Sequence, residues 1–457
     1  MTVNGEVSYW YREIGLPARR PPLERSLEAD VCIVGGGYTG LWTAYYLKQA
    51  DPGLRIVVLE RVFAGYGASG RNGGWITAAL AGSRRRFAAT HGRQGVIDLQ
   101  QAMNASVDEI IAVAAAEGIE ADIVKDGLLR VAHAPAHLPR LRAQVAAARE
   151  WADDVTLLDA EQTVARIGVA GALGASFTPH CARVQPAKLV QGLSHAVERL
   201  GVRIHESTPV TDIAPHQAIT PYGTVRAAYV IRATEGFTAG LPGERRTWLP
   251  MNSSLIVTEP LGDRVWERIG WRGAELLGDM SHAYIYAQRT ADGRIAIGGR
   301  GRPYRFGSRT DHDGRTHAST VRQLREALVR LFPAVARAEI AHAWSGVLGV
   351  PRDWCSTAGL DPRTGLGWAG GYVGHGVATT NLAGRTLRDL VLRRQSELTG
   401  LPWVGRRVRK WEPEPLRWLG VQGMYAAYRE ADRQETTGGR VTTAPIARLA
   451  DRVAARE

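Results

Sequence analysis

An apolar strand, Val31 to Val34, runs directly into Gly35-x-Gly37-x-x-Gly40, and a helical pattern follows from Leu41 to Gln49. No other feature of the 457-residue chain constrains its fold as much. The first glycine permits a tight turn and the second lets the backbone approach a pyrophosphate; the third lets helix and strand pack closely. Phosphate oxygens would then face the unpaired N–H groups of a helix N-terminus, where the macrodipole favours negative charge. A second strand, Arg55 to Leu59, delivers Glu60 twenty residues after Gly40. A carboxylate at that distance is placed to accept hydrogen bonds from an adenosine ribose. Strand, glycines, helix and acid in this order predict a dinucleotide site, whereas a loop that merely turns needs only the glycines.

A second cluster, Gly65, Gly67, Gly70, Gly73 and Gly74 with Ser69, Arg71 and Asn72, follows the acid. Nicotinamide enzymes have no general need for it. A flavin nucleotide is longer and stays bound, so it needs backbone N–H groups along its diphosphate and ring edge. Glycines, lacking Cβ and tolerating positive φ, allow that approach; the alternative is a flexible surface loop. A third cluster, Gly370-Gly371-Tyr372-Val373-Gly374-His375-Gly376, lies between a strand at Gly367 to Ala369 and a helix from Asn381 to Arg394.

Length exceeds a single average core, so two domains or one elaborated domain are expected. Apolar content of 45% and charged content of 22% are those of a folded globular protein. No run of 18 apolar residues suggests a spanning helix. The first thirty residues carry arginines and no apolar export core, so a cytoplasmic location is expected. Cys32, Cys181 and Cys355 are too far apart for a metal or redox motif, and Cys32 reads as a buried core thiol. Net charge is +12 and almost entirely arginine. With no nucleic-acid module beside it, that charge reads as solvated surface, or as a field that attracts anions.

Helices are expected at Gln94 to Gly118, Ala136 to Asp153, Leu189 to Leu200 and 316–332, with strands at Gly127 to Ala132, Val202 to His205, Val210 to Ile213 and Thr224 to Ala233. Residues 248–300 are rich in β-branched and aromatic residues with turn signals such as Asp292-Gly293, which suggests a sheet. Residues 412–435 read as a helical extension, and the last twenty residues as loosely held. The fold class is α/β (α+β), with a Rossmann-like nucleotide domain in three interleaved segments (30–85, 155–236 and 340–395). A substrate domain with a mixed β-sheet takes 86–154 and 237–339, an N-terminal extension 1–29, and a C-terminal helical extension 396–457. A ligand site would fall at the junction.

Asp30 to Leu41, Gly67 to Gly74, Asp126-Gly-Leu128, Trp344-Ser-Gly346, Gly374-His-Gly-Val377 and Leu382-Ala-Gly-Arg385 occur in an order that resembles the D-amino-acid oxidase superfamily of flavoproteins, in its γ-glutamylputrescine oxidoreductase branch. The resemblance covers residues 30 to 390 and implies FAD, a mixed sheet over the flavin, and oxidation of a C–N bond. The cofactor-binding residues it implies are Gly35, Gly37, Tyr38, Thr39, Gly40, Glu60, Arg61, Gly67, Ala68, Ser69, Arg71, Asn72, Gly73, Gly74, Val210, Gly236, Gly374, His375, Gly376 and Val377. The cysteine that tethers flavin in sarcosine-oxidase relatives corresponds to Ser345, which implies noncovalent FAD. The carboxylate-gripping lysine corresponds to Ala378, which disfavours a small amino acid because an unpaired buried carboxylate is costly. The branch's His-Pro pair stands as Gln185-Pro186. The lysine associated with oxygen reactivity stands as Ala296, leaving oxygen or another electron acceptor open.

Trp344, Tyr286 and His375 are the candidate catalytic residues, and no metal site is expected. Trp344 and Trp75 would wall the flavin cavity or fill the core. Tyr284 and Tyr286 share one strand face, which points to substrate or packs in the sheet. His282 and His342 read as structural histidines, with proton handling the alternative. Arg289 reads as structural or surface, with an anionic substrate group as its alternative partner. The expected activity is hydride transfer from a primary or secondary amine to flavin, with the imine hydrolysing to an aldehyde or ketone. The rivals are a nicotinamide dehydrogenase and a flavin-bound scaffold or anion-binding protein without turnover. No nucleic-acid partner is expected.

Overall fold

The computed structural model describes residues 2–299, 301–310 and 313–454. Two large sheets organise it. In the first, strands Arg203–His205, Ile56–Leu59, Leu27–Val34, Gly223–Arg232 and Leu366–Gly370 lie parallel in that order. Antiparallel strands Asp212–Ala214, Gln217–Thr220 and Thr357–Asp361 complete its edges. Val31, Cys32 and Ile33 are fully buried, as expected for a parallel strand covered on both faces. Burial pushes the Cys32 thiol up to about 12, so it is a core group.

Helices Tyr38–Ala50, Gly376–Val391, Arg84–Ala116 and Pro186–Arg199 cover one face and share its largest apolar cluster. The chain leaves the central strand Leu27–Val34 toward Ile56–Leu59 on one side and returns as Gly223–Arg232 on the other. In open sheets of this kind, ligands bind outside the carboxyl ends of the strands at such a switch.

The second sheet has nine strands, in the order Val3–Asn4, Ile340–Val350, Leu249–Thr258, Ile295–Gly299, Tyr286–Arg289, Leu276–Asp279, Leu128–Ala132, Gly174–Thr178 and Thr156–Leu158. Its far side buries Ile256, Leu277 and Ile297 against Leu324 and Leu328 of the helix Ala318–Leu331.

The expected boundaries shift at both ends. Thr156–Leu158, Gly174–Thr178 and Ile340–Val350 lie in the nine-stranded sheet, not with the nucleotide segments. Conversely, Arg84–Ala116 buries Phe87, Val96, Met103 and Val107 in the apolar cluster of the first sheet. Apolar periodicity marks an element as helix or strand, but the partner that covers its apolar face is a long-range choice. The N-terminal residues are equally integrated: Tyr9, Trp10 and Tyr11 of the helix Tyr9–Ile14 are buried. The final stretch is also better held than expected. Helix Pro445–Ala454 buries Ala447 and Ala450 against Tyr428 of helix Leu416–Thr436. The Ala454 carbonyl accepts from Trp354 Nε1 at 3.0 Å. Among the described residues, no helix is long and apolar enough to cross a membrane.

Candidate functional site

A cavity of about 650 Å³ opens at the carboxyl ends of the parallel strands and runs to the near face of the nine-stranded sheet. Its first wall is made of helix starts. The helix Tyr38–Ala50 begins at Gly37, the short turn Ala68–Gly70 at Gly67, and the helix Gly376–Val391 at His375. At none of the three does the N-cap side chain bond the first turn, though Ser69 Oγ takes the Tyr38 N–H, and all border the cavity. Each helix start leaves N–H groups unpaired and carries partial positive charge, so the convergence suits a diphosphate.

Sequence dictates how tightly these parts assemble. Gly35 has φ +114° and a Cβ there would lie 2.5 Å from the Ala233 carbonyl oxygen, so the turn demands glycine. A Cβ on Gly40 would stand 2.1 Å from the Gly35 carbonyl oxygen, which fixes the approach of helix to strand. Ser69 Oγ accepts from Tyr38 N–H at 2.9 Å, joining the first glycine loop to the second. Asn72 folds the second loop by donating to the Ala68 and Ser69 carbonyls and accepting from Gly74 N–H. Thr39 and Tyr372 hydroxyls, 2.9 Å apart, join the first loop to the third.

Glu60 accepts from Gly36 N–H at 2.8 Å and from Val62 N–H at 2.9 Å. Burial raises its pKa against those two bonds. Beside it the Arg61 guanidinium lies 5.0 Å from the Phe237 ring centre. Arg71 is almost fully buried and donates to the Tyr66 carbonyl at 2.8 Å, which makes it a tie beneath the loop.

Of the expected cofactor residues, Gly35, Gly37, Tyr38, Thr39, Glu60, Arg61, Gly67, Ala68, Ser69, Arg71, Asn72, Gly73, Val210, Gly374, His375, Gly376 and Val377 line the cavity. Gly40, Gly74 and Gly236 do not. Gly74 packs against Val184 and Gln288, and Gly236 against Val347 and Leu348. Their role is close packing behind the loops, a need for glycine that a motif does not separate from cofactor contact.

The second wall belongs to the large sheet. Tyr286 pairs with Gly298 on one side and Gly278 on the other. A Cβ on Gly298 would sit 2.3 Å from the Tyr286 ring, and one on Gly73 would sit 2.6 Å from it. The ring is therefore clamped between bare backbone of its own sheet and bare backbone of the second loop. Its hydroxyl lies 2.8 Å from Ser253 Oγ, and Trp75 meets it edge-on at 5.9 Å. Trp75 and Tyr284 also line the cavity.

Trp344 corrects the expectation of a cavity wall. It is 0% exposed, donates to the Arg71 carbonyl at 2.9 Å, and packs on Tyr9 and Trp10. The N-terminal helix covers that part of the strand, so only the residues that follow, Gly346 to Leu348, reach the cavity. His342 is a structural histidine: it contacts the Gly5 carbonyl at 2.8 Å, and burial lowers its pKa. Arg289 is held by the Trp271 and Arg272 carbonyls and the Trp266 ring. Ser345 Oγ donates to the Arg315 carbonyl, while Ala296 and Ala378 are buried in apolar clusters. Gln185 caps the helix that begins at Pro186, accepting from Lys188 N–H at 2.8 Å.

Sequence reasoning missed two parts of the site. The first is Glu235, at the carboxyl end of Gly223–Arg232, which lines the cavity. It accepts from Tyr372 N–H at 2.9 Å and from Gly349 N–H. Burial lifts its carboxyl to about 7 despite those bonds. Its signal was position, since it directly follows a central strand. The second is the C-terminal extension, which contributes Thr443 and Asp451. His282, another lining residue, stacks on Tyr428 at 5.8 Å and bonds Glu435 at 2.9 Å, and Glu435 also accepts from Arg140 at 2.7 Å. Burial alone would raise the Glu435 carboxyl; bonds from His282 and the Ala444 N–H, with Arg140 nearby, outweigh it and take it down to about 2. No local pattern announces this seal, because its partners lie some 150 to 300 residues apart.

The family model described as FAD dependent oxidoreductase (DAO) matches residues 30–390. The chain is 29% identical over 391 residues to the gamma-glutamylputrescine oxidoreductase of Escherichia coli K12, covering 84% of this chain and 88% of the relative. It is 27% identical over 397 residues to the probable oxidoreductase OrdL of Haemophilus influenzae, with the same coverage. Among solved structures, glycine oxidase from Geobacillus kaustophilus superposes with a TM-score of 0.70 at 23% identity, over 83% of this chain and 99% of that one.

Proposed function

The chain belongs to the DAO family of FAD-dependent oxidoreductases, and on that premise we propose that it oxidises a C–N bond of a primary or secondary amine to an imine, which water hydrolyses to an aldehyde or ketone. One observation carries this reading. A single cavity joins three helix starts to an aromatic wall clamped against the second glycine loop. The remaining N–H groups of these helix starts and the glycine approaches support an FAD diphosphate there, and Glu60, bonded to the first glycine loop, supports a ribose contact. When bound without a covalent tether, FAD supplies the hydride acceptor.

The residues of this chain do the positioning. Gly73, Gly298 and Ser253 hold the Tyr286 ring in place, and its hydroxyl is a polar point on an otherwise aromatic wall. That hydroxyl can accept an N–H of the amine and orient it. Trp75 and Tyr286 remove water from the reacting carbon, and desolvation favours the neutral amine, whose lone pair assists hydride loss. His375 starts the third helix beside the cavity and acts by position. Relatives named as a gamma-glutamylputrescine oxidoreductase and a glycine oxidase support amine or amino-acid donors. Unpaired, buried cysteines are consistent with a reducing cytoplasm as the working compartment.

Anaerobic mixing of the yellow holoenzyme with a panel of primary and secondary amines tests the proposal. Bleaching of the oxidised flavin bands is the expected result; colour persisting across the panel would leave the flavin-bound scaffold as the better reading. Readmitting oxygen then separates an oxidase from a dehydrogenase. A companion variant, Glu60→Gln, is expected to weaken FAD retention about tenfold, the size of one charge-assisted hydrogen bond. Unchanged affinity in a fluorescence titration would remove Glu60 from the ribose.

A further inference from the structure

Four arginines line the cavity: Arg61, Arg71, Arg130 and Arg140. Arg61 lies over Phe237, Arg71 is tied to the Tyr66 carbonyl, and Arg140 is paired with Glu435. Arg130 differs. It stands on Leu128–Ala132, partly exposed to the cavity, and among the described residues its guanidinium has neither an ion-pair nor a hydrogen-bond partner.

The surroundings show why it is left open. Arg130 pairs across the sheet with Gly278, which in turn pairs with Tyr286, so the three positions form one row on the cavity face. Gly278 presents no side chain, and a Cβ there would lie 3.7 Å from Arg130 Cγ and 3.6 Å from the Trp75 ring. Asp279, the residue after Gly278, is engaged with Ser281 Oγ at 2.6 Å and Ile285 N–H at 3.0 Å. Ser83, the N-cap of the helix Arg84–Ala116, lines the same cavity, and the first turn of that helix contains three arginines and no acid. Arg84 is close enough to Arg130 for their charges to oppose each other. A guanidinium and a helix start thus share a cavity region whose nearby acids, Asp279 and Asp153, are already bonded.

We propose that Arg130 is the specificity-determining residue of this cavity and selects amines that carry a carboxylate several bonds from the oxidised C–N bond. The inference rests on the amine-oxidation reading above and extends it to the far end of the substrate. Arg130 lies two strands from Tyr286, roughly 10 Å at ordinary strand spacing. An anion bound there is therefore separate from the reacting carbon. The guanidinium would take a carboxylate bidentately, its planar fork matching the two oxygens.

The test uses the holoenzyme and two amines of equal length, 6-aminohexanoate and hexylamine, with hexanoate as a ligand that cannot react. Wild type should half-bleach at a lower concentration of 6-aminohexanoate than of hexylamine. Arg130→Met should raise that concentration about tenfold or more for 6-aminohexanoate alone, as expected for one lost charge-assisted bond, and Arg130→Lys should recover part of it. Hexanoate should perturb the flavin spectrum of wild type and bind Arg130→Met about tenfold more weakly. Equal loss on both amines, or no loss on either, overturns the proposal, as does hexanoate binding that ignores the substitution. If hexanoate binding depends on Arg130 while no amine bleaches the flavin, the anion site stands and amine oxidation fails. Hexylamine bleaching and FAD content serve as the folding control for both variants.

Discussion

Gly40→Ala is expected to yield a protein that unfolds several degrees earlier and retains little FAD. The residue lies in the first turn of Tyr38–Ala50 and does not border the cavity. Its added methyl would stand 2.1 Å from the Gly35 carbonyl oxygen and 3.0 Å from Ile33 Cγ2, and neither can swing away. Helix and strand must separate, at about 3 kcal/mol for overpacking of rigid parts. The same movement withdraws the helix N-terminus from the proposed diphosphate site, so FAD affinity is expected to fall without any cofactor contact having been removed. Thermal unfolding with and without added FAD, beside a fluorescence titration, measures both effects. Gly420→Ala is the control. It lies within the helix Leu416–Thr436 with nothing near its would-be Cβ, and alanine there should be neutral or slightly stabilising. Equal behaviour of the two variants would show that the glycine motif here is not set by helix–strand contact.

Glu235 should make stability fall as pH rises through neutrality. The fold lifts its carboxyl from 4.5 to about 7, chiefly through burial. The native state therefore holds the proton more tightly than the unfolded chain does. This contribution is present in full below pH 4.5 and lost as pH passes through about 7, and over that window it amounts to about 3 kcal/mol. Glu235→Gln removes the titration. The melting temperature of wild type should decline relative to that of Glu235→Gln between about pH 5 and about pH 8. Parallel profiles would mean that the carboxyl does not titrate there. Glu235→Ala is the harsher change, since it leaves Tyr372 and Gly349 N–H groups without their acceptor. Each orphaned donor costs about 1 to 3 kcal/mol. Tyr372 opens the third glycine loop, so faster FAD release should accompany the loss of stability.

The chain announced its nucleotide half residue by residue. Val31 to Gly40, Glu60 and the loops at Gly67 and Gly374 are local patterns, because turn, strand and helix start are decided by neighbouring residues, and they meet at one cavity. Even there, motif and contact part company: Gly40, Gly74 and Gly236 pack instead of lining the cavity. The half built on the nine-stranded sheet was legible only as strands and helices. That Trp344 is covered by Tyr9 and Trp10, that Tyr286 fits between Gly73 and Gly298, and that Arg130 has no partner among the described residues are facts about residues far apart in sequence. Sequence alone determined the three glycine loops, because backbone conformation and missing side chains are local properties. Tertiary structure alone decided the aromatic wall and the Arg140–Glu435–His282 seal, because burial and charge pairing depend on which surfaces the chain brings together.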